Sequence, residues 1–137
     1  MVKLNLRDTQ ISGPIPESIG QMTRLETLWL YRTKVSGPIP ESIGNCTKLK
    51  DVALYETKIS GPLPNSIGNC KQMQKLRLND TKLSGVVPPC IAELTELTHL
   101  CLDNTKVTRP ENAGEHSMRV EADADAMRKF LEIFKES

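Results

Sequence analysis

Apolar residues recur along this chain in a fixed frame of 24 positions. Leu25, Leu28 and Leu30 are followed by Leu49, Val52 and Leu54, then by Met73, Leu76 and Leu78, then by Leu97, Leu100 and Leu102. Polar residues keep the same step: Thr9, Thr33, Thr57, Thr81 and Thr105; the triplets Ser12-Gly13-Pro14, Ser36-Gly37-Pro38 and Ser60-Gly61-Pro62; and the pairs Ile19-Gly20, Ile43-Gly44 and Ile67-Gly68. Units starting at Met1, Leu25, Leu49, Met73 and Leu97 fill residues 1–110. A register kept through four complete units is a repeat, and no single unit can bury its own apolar edge, so the units must stack.

Within a unit, the Leu-x-Leu alternation predicts a short strand with its apolar side chains on one face. Gly is expected to break that strand, and Pro to set the φ of the turn back. Ile19, Ile43, Ile67 and Ile91 should close the core from the convex side. Five parallel strands at ~4.8 Å make a sheet roughly 20–25 Å wide.

The repeat stops after Val107, where Arg109-Pro110 replaces the Ser-Gly-Pro step. Residues 111–117, with Gly114, predict a loop. From Met118 to Lys135, Val120, Ala124, Met127, Leu131 and Phe134 form one apolar stripe at helical spacing, widened by Ala126, Phe130 and Ile133. Acidic residues come early (Glu121, Asp123, Asp125) and basic ones late (Arg128, Lys129, Lys135), which suits the helix dipole. Residues 111–137 are therefore expected to be a loop and a helix capping the fifth repeat, with a docking helix for a partner as the alternative.

Ser36 to Leu49, reading Ser-Gly-Pro-Ile-Pro-Glu-Ser-Ile-Gly-Asn-Cys-Thr-Lys-Leu, resembles the plant-type leucine-rich repeat. That family includes the ectodomains of plant receptor-like kinases and the polygalacturonase-inhibiting proteins. The resemblance covers residues 1–110 and implies an α/β repeat fold: a short right-handed leucine-rich-repeat solenoid of five turns with a parallel concave β-sheet, closed here by the C-terminal capping helix. It implies a binding role, with partners that vary across the family. The chain departs from the family pattern where Thr9, Thr33, Thr57, Thr81 and Thr105 stand in place of Asn. Asn bridges successive turns with a carbonyl and an NH₂, whereas Thr has one hydroxyl, so a reduced ladder between turns is expected. The cysteine-paired caps of the secreted plant proteins are also missing.

Composition narrows the chemistry. Aromatics are 4% of the 137 residues, so the core must be aliphatic, and a net charge of +1 supplies no global field toward nucleic acid or an anionic membrane. No apolar run approaches the ~20 residues of a transmembrane helix. The first residues, Met-Val-Lys-Leu-Asn-Leu-Arg-Asp, carry no apolar leader. Cys46 and Cys70 share the repeat position of Met22 and Leu94 and are expected to be reduced core residues, one above the other. Cys90 takes the place of Ser18, Ser42 and Ser66, and no Cys-x-x-Cys spacing supports a metal site. Unpaired cysteines and the missing leader favour an intracellular or organellar setting, with an extracellular one as the alternative. Asn45-Cys46-Thr47 and Asn79-Asp80-Thr81 match the glycosylation pattern at about the frequency chance supplies, so they decide nothing.

His99, Cys101 and Asp103 alternate on the fifth strand and should share its exposed face. Alternate strand residues are ~6.7 Å apart, so the outer two are ~13 Å apart, whereas a nucleophilic relay needs contacts near 3 Å. No catalytic, cofactor or metal residues are assigned.

Function is placed on the outward columns of the concave sheet. The third position of each unit reads Lys3, Thr27, Asp51, Lys75, His99; the fifth reads Asn5, Trp29, Ala53, Arg77, Cys101; the seventh reads Arg7, Tyr31, Tyr55, Asn79, Asp103; and the eighth, at the sheet's edge, reads Asp8, Arg32, Glu56, Asp80, Asn104. The one Trp and both Tyr of the chain fall in these columns on adjacent turns. Exposed Trp, Tyr and Arg in one cluster are what protein-binding hot spots are built from; a Tyr31–Tyr55 stacking pair with no partner is the alternative. The expected site is Trp29, Tyr31, Arg32, Tyr55, Glu56, Arg77 and Asp80. Its mixed sign argues against a nucleic-acid track. The sequence therefore points to a non-enzymatic protein-interaction module, a scaffold or accessory subunit of a larger assembly. A secreted enzyme inhibitor or receptor-ectodomain-like recognition protein is the alternative. The first turn, with nothing stacked before it, is expected to be covered by another chain or by missing repeats.

Overall fold

The computed structural model describes residues 2–108 and 119–135. The alternating apolar positions form β1 (Val2–Asn5), β3 (Leu25–Trp29), β5 (Asp51–Ala53), β7 (Lys75–Arg77) and β9 (His99–Cys101). These strands pair in parallel in that order. Equivalent positions lie side by side: Thr27 is opposite Asp51, Asp51 opposite Lys75, and Lys75 opposite His99. Leu28, Val52, Leu76 and Leu100 point inward and are buried, which makes the sequence frame the spatial frame.

The Ser-Gly-Pro steps are strands, not turns. β2 (Ser12–Pro14), β4 (Lys34–Gly37), β6 (Lys58–Gly61), β8 (Lys82–Val86) and β10 (Lys106–Thr108) build a second, wholly parallel sheet. Val35, Ile59 and Leu83 anchor it in the core. Gly37, at φ +77°, bends the strand without breaking it. The prolines come at or just beyond the strand ends, where a missing N–H interrupts little of the ladder.

On the convex side, 3₁₀ segments run over Glu17–Gln21, Glu41–Asn45, Asn65–Asn69 and Pro89–Glu93. Ile19, Ile43, Ile67 and Ile91 are buried there as expected. The segments lock together through the residue before each Ile: Ser42 Oγ donates to Glu17 O at 2.7 Å, Ser66 Oγ to Glu41 O at 2.7 Å, and Cys90 Sγ to Asn65 O at 2.9 Å. A Cβ on Gly44 would sit 2.5 Å from Ser66 Cβ, so the Ile-Gly pair marks where the next turn approaches. Ala92 takes the glycine's place in the fourth turn, which packs against the C-terminal helical segment instead of another repeat of its kind.

The threonine ladder differs from expectation. Thr33 Oγ1 donates to Leu30 O at 2.7 Å and accepts from Val35 N at 3.4 Å. Thr57 and Thr81 repeat that pattern on Leu54 and Ile59, and on Leu78 and Leu83. Each hydroxyl spends its one donor inside its own turn and has none left for the next. The turns are joined there by backbone bonds such as Leu30 N to Ala53 O at 3.0 Å.

The C-terminal segment also departs from the all-helical reading. Arg119–Glu121 form β11, antiparallel to β9, so Val120 lies opposite Leu100 in a sheet. The helix, α1 (Ala124–Leu131), begins after Asp123, whose carboxylate accepts from Ala126 N at 2.9 Å, and a 3₁₀ turn, Glu132–Phe134, follows. Met127, Leu131 and Phe134 are buried in the common core, and the segment packs against Pro89–Glu93. The loop expected over 111–117 lies outside the described residues. At the opposite end, Leu4, Leu6, Ile11, Ile15, Ile19 and Met22 line an apolar depression of about 280 Å³. Among the described residues no helix is long and apolar enough to cross a membrane.

Candidate functional site

β3, β5, β7 and β9 place their outward side chains in adjacent columns on the concave face, and the seven expected site residues separate into two groups. The first is an aromatic and ionic cluster on turns one to three. Tyr31 and Tyr55 stack with ring centroids 4.5 Å apart and planes 17° apart; Trp29 meets Tyr31 edge-on at 6.1 Å. Tyr31 is only 7% exposed, because Trp29, Tyr55 and Arg7 enclose it, and its hydroxyl accepts from Arg7 Nη1 at 2.9 Å. It is thus a supporting member of the cluster and not an exposed anchor. Trp29 and Tyr55 remain half-buried and carry the accessible aromatic surface. The Trp29 indole Nε1 has no hydrogen-bond partner, while Lys3 Nζ sits 4.0 Å over the ring. Arg32 pairs with Asp8 and lies 5.1 Å over Tyr31. The hydrogen bond from Arg32 holds the Asp8 carboxyl below its ordinary value.

The second group lines a cleft of about 690 Å³ farther along the face. Tyr55, Glu56, Arg77 and Asp80 meet there with Lys75, Asn79, His99, Cys101, Arg119 and Glu121. Arg77 lies 5.8 Å over the Tyr55 ring and reaches back to Asp51 at 2.9 Å. Burial, then the neighbouring Tyr31, pushes the Tyr55 phenol up. Asp80 accepts from Asn79 and Asn104 at 2.6 and 2.9 Å, and these bonds hold its carboxyl below the usual range. Tyr55 joins the two groups, whereas Trp29, Tyr31 and Arg32 lie outside the cleft.

Arg119, like Glu121, lines this cleft although sequence reasoning did not place it on the concave face. It falls in the stretch read as helix, and only the pairing of β11 with β9 brings it onto the concave face. There it holds Asp103 with two bonds of 3.1 Å. The alternation of Val120 between charged residues was the available signal, but it is too short to outweigh a helical stripe.

Two members of the fifth-position column are less exposed than their position implies. Ala53 is fully buried because Trp29 and Arg77 flank it in the sheet. Cys101 is 1% exposed because Arg119 lies opposite it. The expectation that Cys101 shares an exposed face with His99 and Asp103 is therefore corrected. Burial raises the Cys101 thiol, which disfavours a thiolate nucleophile, and His99 turns its ring to Thr98 Oγ1 at 3.0 Å and to Glu121 at 3.9 Å.

Cys46 and Cys70 are unpaired, buried and stacked, with Cys70 Sγ 3.5 Å from Cys46 O. Burial pushes the Cys70 thiol up to about 12. Of the two glycosylation patterns, Asn79 is buried and Asn45 is exposed, so only Asn45 is accessible in the folded chain.

The Leucine Rich Repeat family model matches residues 1–22 and 24–46. No curated protein matches. Solved structures do. The ectodomain of the plant membrane receptor kinase GASSHO1/SCHENGEN3 from Arabidopsis thaliana, in complex with CASPARIAN STRIP INTEGRITY FACTOR 2, is 36% identical over 77% of this chain, with a TM-score of 0.74. The BIR3–SERK2 complex from Arabidopsis thaliana is 34% identical over 77% of this chain, with a TM-score of 0.73. A plant ice-binding protein is 32% identical over 76% of this chain, with a TM-score of 0.72. This chain spans 13%, 56% and 34% of those three chains, respectively.

Proposed function

Because the chain belongs to the leucine-rich-repeat family and folds as its solenoid, we propose that it is a non-enzymatic recognition module that binds a protein or peptide segment on its concave face. The carrying observation is the continuity of Trp29 and Tyr55 with the cleft lined by Lys75, Arg77 and Arg119. Half-buried aromatics and a rigid Arg give large contact area at low entropic cost. The cleft beside them mixes cations with Glu56, Asp80 and Glu121, so it suits a polar peptide better than a uniform polyanion.

Solved neighbours that include a receptor-kinase ectodomain in complex with another factor and a BIR3–SERK2 complex favour recognition over a scaffold or accessory-subunit role. The partner-binding residues in this reading are Trp29, Arg32, Tyr55, Glu56, Arg77, Asp80 and Arg119, with Tyr31 as their support.

Selection of random peptides displayed on phage against the immobilised chain tests the proposal. Enriched peptides should share a motif and lose about 1–3 kcal/mol of affinity to the folded Trp29→Ala, Tyr55→Ala or Arg77→Ala variants. No enrichment, or enriched peptides indifferent to all three changes, would sink it.

A further inference from the structure

The second sheet carries a face that the concave site does not use. Its inward side chains, Val35, Ile59 and Leu83, are buried, while the residue before each, Lys34, Lys58 and Lys82, is exposed. Lys106 continues the row on the fifth turn. Among the described residues no carboxylate pairs with any of these four lysines. In the neighbouring column Asp8 is taken by Arg32 and Asp80 by Asn79 and Asn104, and the third acid, Glu56, is exposed and makes no ion pair with the row.

The register adds a second group to each lysine. Lys34 lies opposite Ser12, Lys58 opposite Ser36, Lys82 opposite Ser60 and Lys106 opposite Ser84. Lys34 thus pairs two residues beyond its repeat equivalent, Gln10. With strands ~4.8 Å apart, that offset sets successive lysines about 8 Å apart along an oblique line. The face therefore repeats one unit, an unpaired ammonium beside a hydroxyl, four times in a single row.

Like charges in a row oppose one another, and folding gains nothing from them. A counter-charge repeating along a line would relieve the repulsion. We propose that this row binds a linear acidic polysaccharide, carboxylated or sulfated, laid along the oblique line of lysines. Each lysine faces an acid group, and each serine hydrogen-bonds a sugar hydroxyl. A nucleic acid fits less well, because the row holds no aromatic side chain for base stacking. One row of cations also suits a polymer strand better than the two-dimensional charge of a bilayer.

The test is titration of the whole chain with alginate oligomers and with heparin oligomers, which separate the carboxylated from the sulfated source. Dextran oligomers serve as the neutral control, and single-stranded oligo-dT and anionic phosphatidylserine vesicles as the rival polyanions. The proposal expects salt-sensitive binding of at least one acidic glycan, none of dextran, and weaker binding of both rivals. Lys58→Glu with Lys82→Glu should weaken glycan binding on the order of tenfold or more. Lys48→Glu with Lys71→Glu changes net charge equally off the row and should leave binding within about twofold, since screening confines the effect to about 10 Å. Equal loss in both double variants, preference for oligo-dT or vesicles, or no glycan binding in low salt would overturn it.

Discussion

Tyr31 shows how one side chain changes role once its neighbours are known. In sequence it stands beside Trp29 as an exposed anchor; in the fold it is closed in by Trp29, Tyr55 and Arg7. Tyr31→Ala should therefore cost about 3 kcal/mol or more of stability, as large aromatic truncations do. Trp29→Ala should act mainly on binding, and chemical denaturation of the two variants side by side checks the split. The eighth position of each unit is a second residue-scale device. Asp8, Arg32, Glu56, Asp80 and Asn104 all adopt φ between 53° and 56°, the left-handed region, although none is glycine. That geometry turns the chain out of the concave strand at a cost of about 1 kcal/mol for an ordinary side chain. Glu56→Asn should raise the melting temperature slightly and Glu56→Val should lower it, because Asn tolerates this region and a β-branched residue does not. The repeating polar edge was legible in the sequence; the backbone strain beneath it was not, since nothing but the turn itself demands it.

Each structural element depends on contacts that its own sequence does not display. The 3₁₀ segments hold together because Gly20, Gly44 and Gly68 let the next turn approach, so Gly44→Ala should cost about 1–3 kcal/mol through overpacking. Ala92→Gly, at the equivalent position beside the helical cap, should cost far less; thermal unfolding of both variants distinguishes the two environments. The threonines work within single turns, and Thr57→Val should remove about 1 kcal/mol by leaving Leu54 O without its hydroxyl donor. The helix was legible from Met127, Leu131 and Phe134, whose spacing survives in the core. Its start was not, because Val120 fits a helical stripe and a strand equally well, and only the free edge of β9 decides between them.

For the whole molecule, the stacking order predicts a gradient of stability. β5 is paired on both sides, whereas β1, among the described residues, pairs with β3 alone and borders the apolar depression. Amides of β5 should exchange with solvent markedly more slowly than those of β1 in native-state hydrogen exchange. Equal protection would mean that the first turn is held by something other than its neighbour. The buried cysteines set a limit at high pH. Cys70 has its folded thiol raised from 9.0 to about 12 by burial. Its neutral form is favoured by the fold, so the associated stability is complete below pH 9 and is lost as pH rises from there toward 12. Denaturation midpoints should fall over that window, and Cys70 should resist thiol reagents in the folded chain at neutral pH.

The sequence alone determined the repeat, its frame of 24, the concave strands and the convex Ile layer, because a periodic fold writes each contact several times over. It also located the concave columns, since alternation along a strand is a local rule. The tertiary structure decided what depends on which turn stands beside which. It made the Ser-Gly-Pro steps a second sheet, buried Tyr31, Ala53 and Cys101, and brought Arg119 onto the site. It also aligned four lysines on a face that no single repeat reveals. Burial and register are properties of neighbours, and a neighbour 24 residues away exerts its effect only once the chain has stacked.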